Sequence, residues 1–178
     1  MEKAKMMLSS ILVENDKLEM TILIRYYINE YKSSNPIFLS QLFRLILKHI
    51  YENHNLRLLD VILDNFSQEL GLYSYESYDE LNNLLLYLIK ENHLEFIGKI
   101  LQIVPRIGNQ KTLSILGELI SVLEKSKYTD SKMLYDLKKA YFDLNNNISL
   151  AKKGWNLLDI IESESIVRWK KFEEEVGE

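Results

Sequence analysis

The chain carries an internal repeat, and this repeat constrains the fold more than any other feature. Residues 42–63 read LFRLILKHIYENHNLRLLDVIL, and residues 81–101 read LNNLLLYLIKENHLEFIGKIL. The two segments share an apolar run, a Glu-Asn-His tripeptide and a second apolar run, with an offset of 39 residues before the turn and 38 after it. A two-helix unit that recurs at this period is typical of a helical solenoid.

A weaker third copy extends the pattern. Residues 134–142 match the apolar spacing of 81–89 at an offset of 53, and residues 147–157 match 93–103 at an offset of 54. The additional spacing holds one more predicted helix, Thr112 to Lys125. We therefore predict a single all-α domain over 1–178, an irregular alpha-solenoid-like array of about eight or nine helices in antiparallel pairs. Its predicted parts are repeat units at 37–71, 78–105 and 131–161, an extra helix at 111–126 and a C-terminal capping helix at 162–176.

Composition supports the all-α prediction. The chain of 178 residues is 47% hydrophobic and 27% charged, which is typical of a globular protein. It holds only 6 Gly and 2 Pro, whereas an average chain of this length would hold about 20. So few turn-forming residues leave little room for hairpins, and this argues against an all-β fold.

Several functional classes are disfavoured by what the sequence lacks. With no cysteine, it has no disulfide, thiolate nucleophile or cysteine-bound zinc. It contains no phosphate-binding glycine loop, GxSxG, HExxH or EF-hand motif. We therefore expect no enzyme activity, no catalytic residue, no cofactor and no metal. The recurring His54 and His93 are interpreted as polar residues at helix ends rather than as metal ligands.

Charge and hydropathy bear on location and partners. The start of the chain is too polar for a signal peptide, and no run approaches ~18 apolar residues, so no membrane span is expected. We predict a soluble intracellular protein, cytoplasmic or nuclear. The net charge of −4 and the pI near 5.5 argue against a nucleic-acid partner, because such domains usually carry a basic surplus.

Tyrosines mark the first candidate binding segment. Tyr73, Tyr75 and Tyr78 fall in or beside the predicted loop between the first two repeats. Exposed aromatic side chains can anchor a protein partner. The alternative is that one or two of them fold back over the apolar edge of the repeat.

A basic segment with interleaved aromatic residues is the second candidate. It comprises Lys152, Lys153, Arg168, Trp169, Lys170 and Lys171. This pattern suits contact with a nucleic acid or an acidic partner. It also suits an amphipathic terminal helix that covers the end of the array, with Ile166, Trp169 and Phe172 or Val176 turned inward, and we favour this interpretation.

Over residues 40–161 the pattern of apolar run, Asn or His turn, and Leu-x-Phe/Leu-Ile-x-x-Ile-Leu resembles the tetratricopeptide, pentatricopeptide and HEAT group of alpha-solenoids. The 39-residue unit lies between the tetratricopeptide and HEAT lengths, and Leu and Ile occupy the places of the small residues that tetratricopeptide helices use. The resemblance implies a concave binding surface on the second helix of each pair. Here that surface would include Arg57, Asp60, Asp64, Glu95, Lys99, Gln102, Lys152 and Asn156.

Three functional hypotheses follow. The first is a non-enzymatic protein–protein interaction module or scaffold, as a subunit or domain of a larger assembly, with another protein as its partner. The second is a helical-repeat RNA-binding protein, motivated by the basic segment around Trp169. The third is a compact helical-bundle regulator that binds one partner helix in a groove.

Overall fold

The structure, a computed structural model, describes the backbone of residues 1–74, 77–126 and 130–177, and their side chains except those of 155–163, 165, 166 and 177. These residues form α-helices and no strand, which confirms the all-α prediction. The ten helices are α1 (Glu2–Val13), α2 (Lys17–Tyr31), α3 (Pro36–Asn53), α4 (Leu56–Asn65), α5 (Ser67–Tyr73), α6 (Tyr78–Lys90), α7 (Leu94–Ile100), α8 (Val104–Ile107), α9 (Gln110–Lys125) and α10 (Ser131–Gly177).

The helices pack in two rows. In the first row, α1 contacts α3, α3 contacts α6, and α6 contacts α9. In the second row, α2 contacts α4 and α4 contacts α7, while α10 packs against α7, α8 and α9. Successive helices also contact each other across the rows, as α1 with α2, α3 with α4, α6 with α7 and α9 with α10. This leaves α2 at one end of the second row.

Helix α3 lies at the centre of the first row. Its fully buried side chains are Leu39, Leu42, Phe43, Ile46, Leu47 and Ile50. They recur every three or four residues, so one stripe of the helix faces the core. Burying each such side chain contributes about 1.5–3 kcal/mol, so α3 anchors the two-row packing.

The repeated turn has the same backbone in both copies. His54 after α3 and Asn92 after α6 both adopt the left-handed conformation, with φ of 55° and 58°. In each turn the next N–H closes on the helix: Asn55 N donates to Ile50 O at 3.1 Å, and His93 N donates to Leu88 O at 2.8 Å. The equivalent positions are therefore 38 residues apart, so His54 corresponds to Asn92 rather than to His93.

Helix boundaries differ from the sequence-based prediction in three places. The second half of the predicted unit 37–71 is divided into α4 and α5 at Phe66, which is fully buried and has φ −133° and ψ 25°. A short helix, α8, begins at Val104, so Pro105 lies in a first turn, where its missing N–H costs nothing. The segments predicted as a repeat unit over 131–161 and a capping helix over 162–176 form one continuous helix, 131–177. The described helices therefore number ten instead of eight or nine.

Candidate protein-docking surfaces

Much of the predicted concave surface is engaged with the chain itself. Lys17 Nζ of α2 lies 2.8 Å from Asp60 Oδ2 of α4. Lys99 Nζ of α7 lies 2.7 Å from Asp64 Oδ1 and 3.7 Å from Asp60 Oδ1. The hydrogen bond to Asp64 raises the pKa of Lys99, with further support from the charge of Asp60. These ion pairs connect α2, α4 and α7, so Asp60, Asp64 and Lys99 join neighbouring helices.

The remaining predicted positions on this face divide between internal contact and open surface. Arg57 Nη1 donates to the backbone oxygen of Asn15 at 2.7 Å. Glu95 is exposed, 3.7 Å from His93 Nδ1. Gln102 borders a groove of about 220 Å³ between α7 and α10. The side chain of Asn156 lies outside the described part.

The predicted tyrosine segment does not act as one cluster. The ring of Tyr73 stacks on Phe43, with centroids 5.9 Å apart and planes at 13°, so Tyr73 folds back on the core. Tyr78 is 39% exposed and borders a groove of about 430 Å³ that also includes Arg106 and Lys152. Tyr75 lies outside the described residues. The structure thus brings Tyr78 and Lys152 to one groove and leaves Tyr73 in a packing role.

Helix α10 extends far beyond the packed helices. Its 47 residues span about 70 Å at 1.5 Å per residue. Leu137, Ala140 and Leu144 are buried against the core, and Ile148 is partly buried. From Ser149 onward every side chain that the structure describes is exposed, apart from half-buried Gly154. We call residues 149–177 the arm.

The arm presents an apolar stripe to solvent. Trp169, Phe172 and Val176 are 61%, 54% and 68% exposed. Their spacing of three and four residues places them on one helix face, and the Trp169 and Phe172 rings lie 5.7 Å apart. The interpretation that these side chains turn inward was wrong, because α10 continues as one helix to Gly177 and leaves them exposed. Ile166, also predicted inward, has a side chain outside the described set.

Charges surround this stripe unevenly. The basic residues Lys152, Lys153, Arg168, Lys170 and Lys171 are all exposed. By helical spacing Arg168 borders the stripe beside Phe172, whereas Lys170 lies on the opposite side of the helix. Trp169 Nε1 donates to Glu173 Oε1 at 3.0 Å. The stripe therefore has a basic border at its Arg168 end and an acidic one at Glu173–Glu175.

A second exposed apolar stripe lies on α2. Leu18, Ile22 and Tyr26 are 64%, 61% and 57% exposed and recur every four residues. A separate face of the same helix carries the buried residues Met20, Ile24 and Ile28. We call the exposed face the α2 stripe. The sequence does carry a signal for this stripe. Packing against the core requires one apolar face, whereas α2 has apolar residues on two faces.

An acidic groove borders the α2 stripe. It has a volume of about 410 Å³ and is lined by Glu14, Glu19, Ile22, Leu23 and Tyr26. A hydrogen bond to Glu14 and repulsion between the two carboxylates raise the pKa of Glu19. Among the described residues neither carboxylate forms an ion pair. The groove therefore offers apolar side chains beside two carboxylates without a cationic partner.

A buried polar network that sequence reasoning missed holds α6 against α9. Thr112 Oγ1 donates to Asn82 Oδ1 at 2.6 Å, and Asn82 Nδ2 donates to Asn109 Oδ1 at 3.1 Å. Asn82 and Thr112 have no exposed surface. Since all three side chains satisfy one another, the network serves packing rather than a ligand.

Two of the histidines lie in the repeated turns and pack against one aromatic ring. The His54 and His93 rings lie on either side of Tyr87, at 5.0 and 6.0 Å. Within the described residues no three His, Cys, Asp or Glu side chains are placed to hold a metal ion, and no helix is long and apolar enough to cross a membrane. No protein-family model, curated protein or solved structure matches the chain.

Proposed function

We propose that this protein is a non-enzymatic interaction module of the alpha-solenoid type, a scaffold subunit whose arm docks on another protein chain. The observation that carries the proposal is the exposed stripe of Trp169, Phe172 and Val176. Tryptophan is among the residues most enriched at the energetic centres of protein interfaces. A stripe that holds two aromatic rings and a valine is costly to leave in water.

The length of the arm supports docking. From Ser149 to Gly177 the helix extends about 43 Å, at 1.5 Å per residue, with its described side chains in solvent. Isolated helices in water are only marginally stable, and most helical stability in proteins comes from packing of an apolar face. A partner that covers the stripe would supply this packing.

The two-row packing supports the solenoid part of the proposal. Each helix of a row contacts the next one, and each pair adds one helix to both rows. This is the arrangement by which helical repeats bury a continuous core. The ion pairs from Lys17 through Asp60 to Lys99 join three helices of the second row in the same order.

Affinity capture tests the proposed function. The tagged full chain is incubated with lysate of its source, with and without nuclease, beside the double variant Trp169→Ala/Phe172→Ala. We expect a stoichiometric protein that survives nuclease and is lost with the double variant. Val167→Ala is the matched control, because Val167 is 54% exposed but lies on the opposite face of the arm. Equal capture by the wild type and the double variant would contradict the proposal.

RNA binding is a second candidate function, favoured by one observation. Arg168, Trp169, Lys170 and Lys171 are all exposed, so the arm offers the aromatic and basic side chains that stacking and phosphate contacts use, although these side chains face different sides of the helix. The acidic run 173–175 follows within one turn and opposes it. The salt dependence of binding to a single-stranded oligonucleotide tests this candidate, because phosphate contacts weaken steeply with salt.

A further inference from the structure

We propose that the arm docks on the α2 stripe of a second copy of this chain, with Arg168 beside Glu14 and Glu19. This inference rests on the proposed function, since it names the partner of the same arm. Three observations lead to it: the α2 stripe is an uncovered end of a helix row, its groove carries two carboxylates that have no cationic partner among the described residues, and the arm has a matching stripe with a basic border.

Helix α2 lacks a neighbouring helix on its exposed side. Helix α4 lies between α2 and α7 in the second row, whereas α2 has a row neighbour on one side only. Its exposed residues Leu18, Ile22 and Tyr26 form a ridge with a spacing of four. Ridges of this kind pack against the stripe of another helix. The natural occupant is therefore an amphipathic helix.

Charge selects the arm as that helix. The groove is bordered by Glu14 and Glu19, whose closeness raises the pKa of Glu19. A cation between the two carboxylates would relieve their repulsion. On the arm Arg168 is the basic residue that borders the apolar stripe, and a guanidinium can bind carboxylates through two parallel hydrogen bonds.

The charges of Arg168 and of Glu173–Glu175 favour one direction of docking, although that direction also brings the exposed Glu164 towards Glu14. If the arm runs parallel to α2, Arg168 meets Glu19, Phe172 meets Ile22, and Val176 meets Tyr26, because both stripes advance about one turn in four residues. This direction keeps Glu173–Glu175 away from Glu14 and Glu19. The opposite direction would bring these acidic groups together.

The docking comes from another copy while α10 keeps this conformation. The arm continues the packed part of α10 as one helix, and its described side chains are exposed apart from half-buried Gly154, so the arm does not cover α2 of its own chain. Two copies that exchange arms form a closed pair with two such contacts, and copies that exchange in one direction form a chain. Both arrangements are larger than a monomer.

Sedimentation velocity on the purified full chain over a range of concentrations tests the inference. We expect the wild type to sediment as a dimer or larger species. Trp169→Ala and Phe172→Ala should each raise the dissociation constant by about thirtyfold, as loss of an interface centre does. In a Trp155→Phe background, Trp169 is the one tryptophan left, and its emission should shift to the blue on association.

Charge reversal tests the proposed pairing. Arg168→Glu alone and Glu14→Lys/Glu19→Lys alone should each weaken association by about tenfold or more. The chain that carries all three changes should associate again, because its reversed arm matches its reversed groove. Lys170→Glu is the control, with the same charge change on the opposite side of the arm, and should associate like the wild type. Circular dichroism verifies that every variant remains helical.

The possible failures separate this inference from the proposed function. A monomeric wild type that still captures a lysate protein through Trp169 would overturn the second copy as partner and leave the proposed function standing. A monomer without such capture would overturn both. A monomer with a shielded Trp169 would show that the arm covers its own chain. An oligomer unaffected by both charge reversals would reject the α2 stripe as the docking site.

Discussion

Helix α3 and the arm are both built from large apolar residues at helical spacing, yet their surroundings are opposite. In α3 every stripe residue from Leu39 to Ile50 is buried, and the helix contacts α1, α2, α4, α5 and α6. In the arm Trp169, Phe172 and Val176 face solvent. Apolar periodicity therefore predicts that a helix has an apolar face. The position of the helix in the rows decides whether other helices of the same chain bury that face.

The sharpest test of this comparison replaces one aromatic residue in each region. Phe43→Ala should lower the free energy of unfolding by about 3–5 kcal/mol, because it removes buried apolar surface and leaves a cavity under Tyr73. Trp169→Ala should change the stability of the monomer by about 0.5 kcal/mol at most. Urea unfolding at a concentration where the protein is monomeric measures both. A loss of several kcal/mol in Trp169→Ala would show that the arm is packed within the monomer.

The second prediction concerns the buried polar network between α6 and α9, which belongs to the packed rows and has no counterpart among the described side chains of the arm. Asn82→Ala removes two hydrogen bonds of this buried network, those to Thr112 Oγ1 and Asn109 Oδ1. At about 0.5–1.5 kcal/mol for each bond, the change should cost about 1–3 kcal/mol. Thr112 and Asn109 keep their hydrogen bonds to each other. The adjacent Asn83→Ala is the matched control, because Asn83 is exposed and makes a long 3.4 Å contact to Tyr51. Equal losses in the two variants would contradict a special role for the network.

The third prediction concerns the ion pairs between the helices of the second row. Lys99→Met retains much of the aliphatic stem and removes the contacts to Asp60 and Asp64. Because Lys99 is 44% exposed, the expected loss is small, about 0–1 kcal/mol, and it should shrink at high salt. Thermal unfolding at low and high salt measures the difference. A loss that does not change with salt would indicate packing rather than charge.

The sequence predicts those parts of this molecule that depend on near neighbours. The helices over 36–53, 56–65 and 78–90 follow from apolar spacing and from the polar turns between them. The ion-pair partners of Asp60 and Asp64 cannot be predicted from this spacing, because Lys17 and Lys99 reach these carboxylates only after the rows assemble. The exposure of Trp169 also could not be predicted from the sequence, since it depends on whether one long helix bends. Local spacing cannot decide that.

The smallest predicted effect is a pH dependence localised to the first repeated turn. Burial lowers the pKa of His49, with a weaker opposing contribution from Glu52. Amide nitrogens of Asn53 and Asn55 lie 3.1 and 3.3 Å from its two ring nitrogens. A neutral imidazole can accept a hydrogen bond from one of these donors, whereas an imidazolium can accept from neither. The unfolded chain therefore binds a proton more readily than the folded one. The stabilisation is complete above the unfolded pKa of about 6.5 and is lost as the pH falls towards the lower folded pKa.

His49→Gln isolates this contribution, because glutamine retains a polar side chain but does not titrate. The free energy of unfolding is measured in urea at pH 7.5 and at pH 5.5. It should fall more between these two pH values in the wild type than in His49→Gln. Carboxylates titrate in both proteins alike and cancel in the comparison. The arm has no histidine. The difference in pH dependence between the wild type and His49→Gln should therefore be the same when both proteins also carry Trp169→Ala. Equal pH dependence in the wild type and His49→Gln would mean that the turn tolerates a charged imidazole.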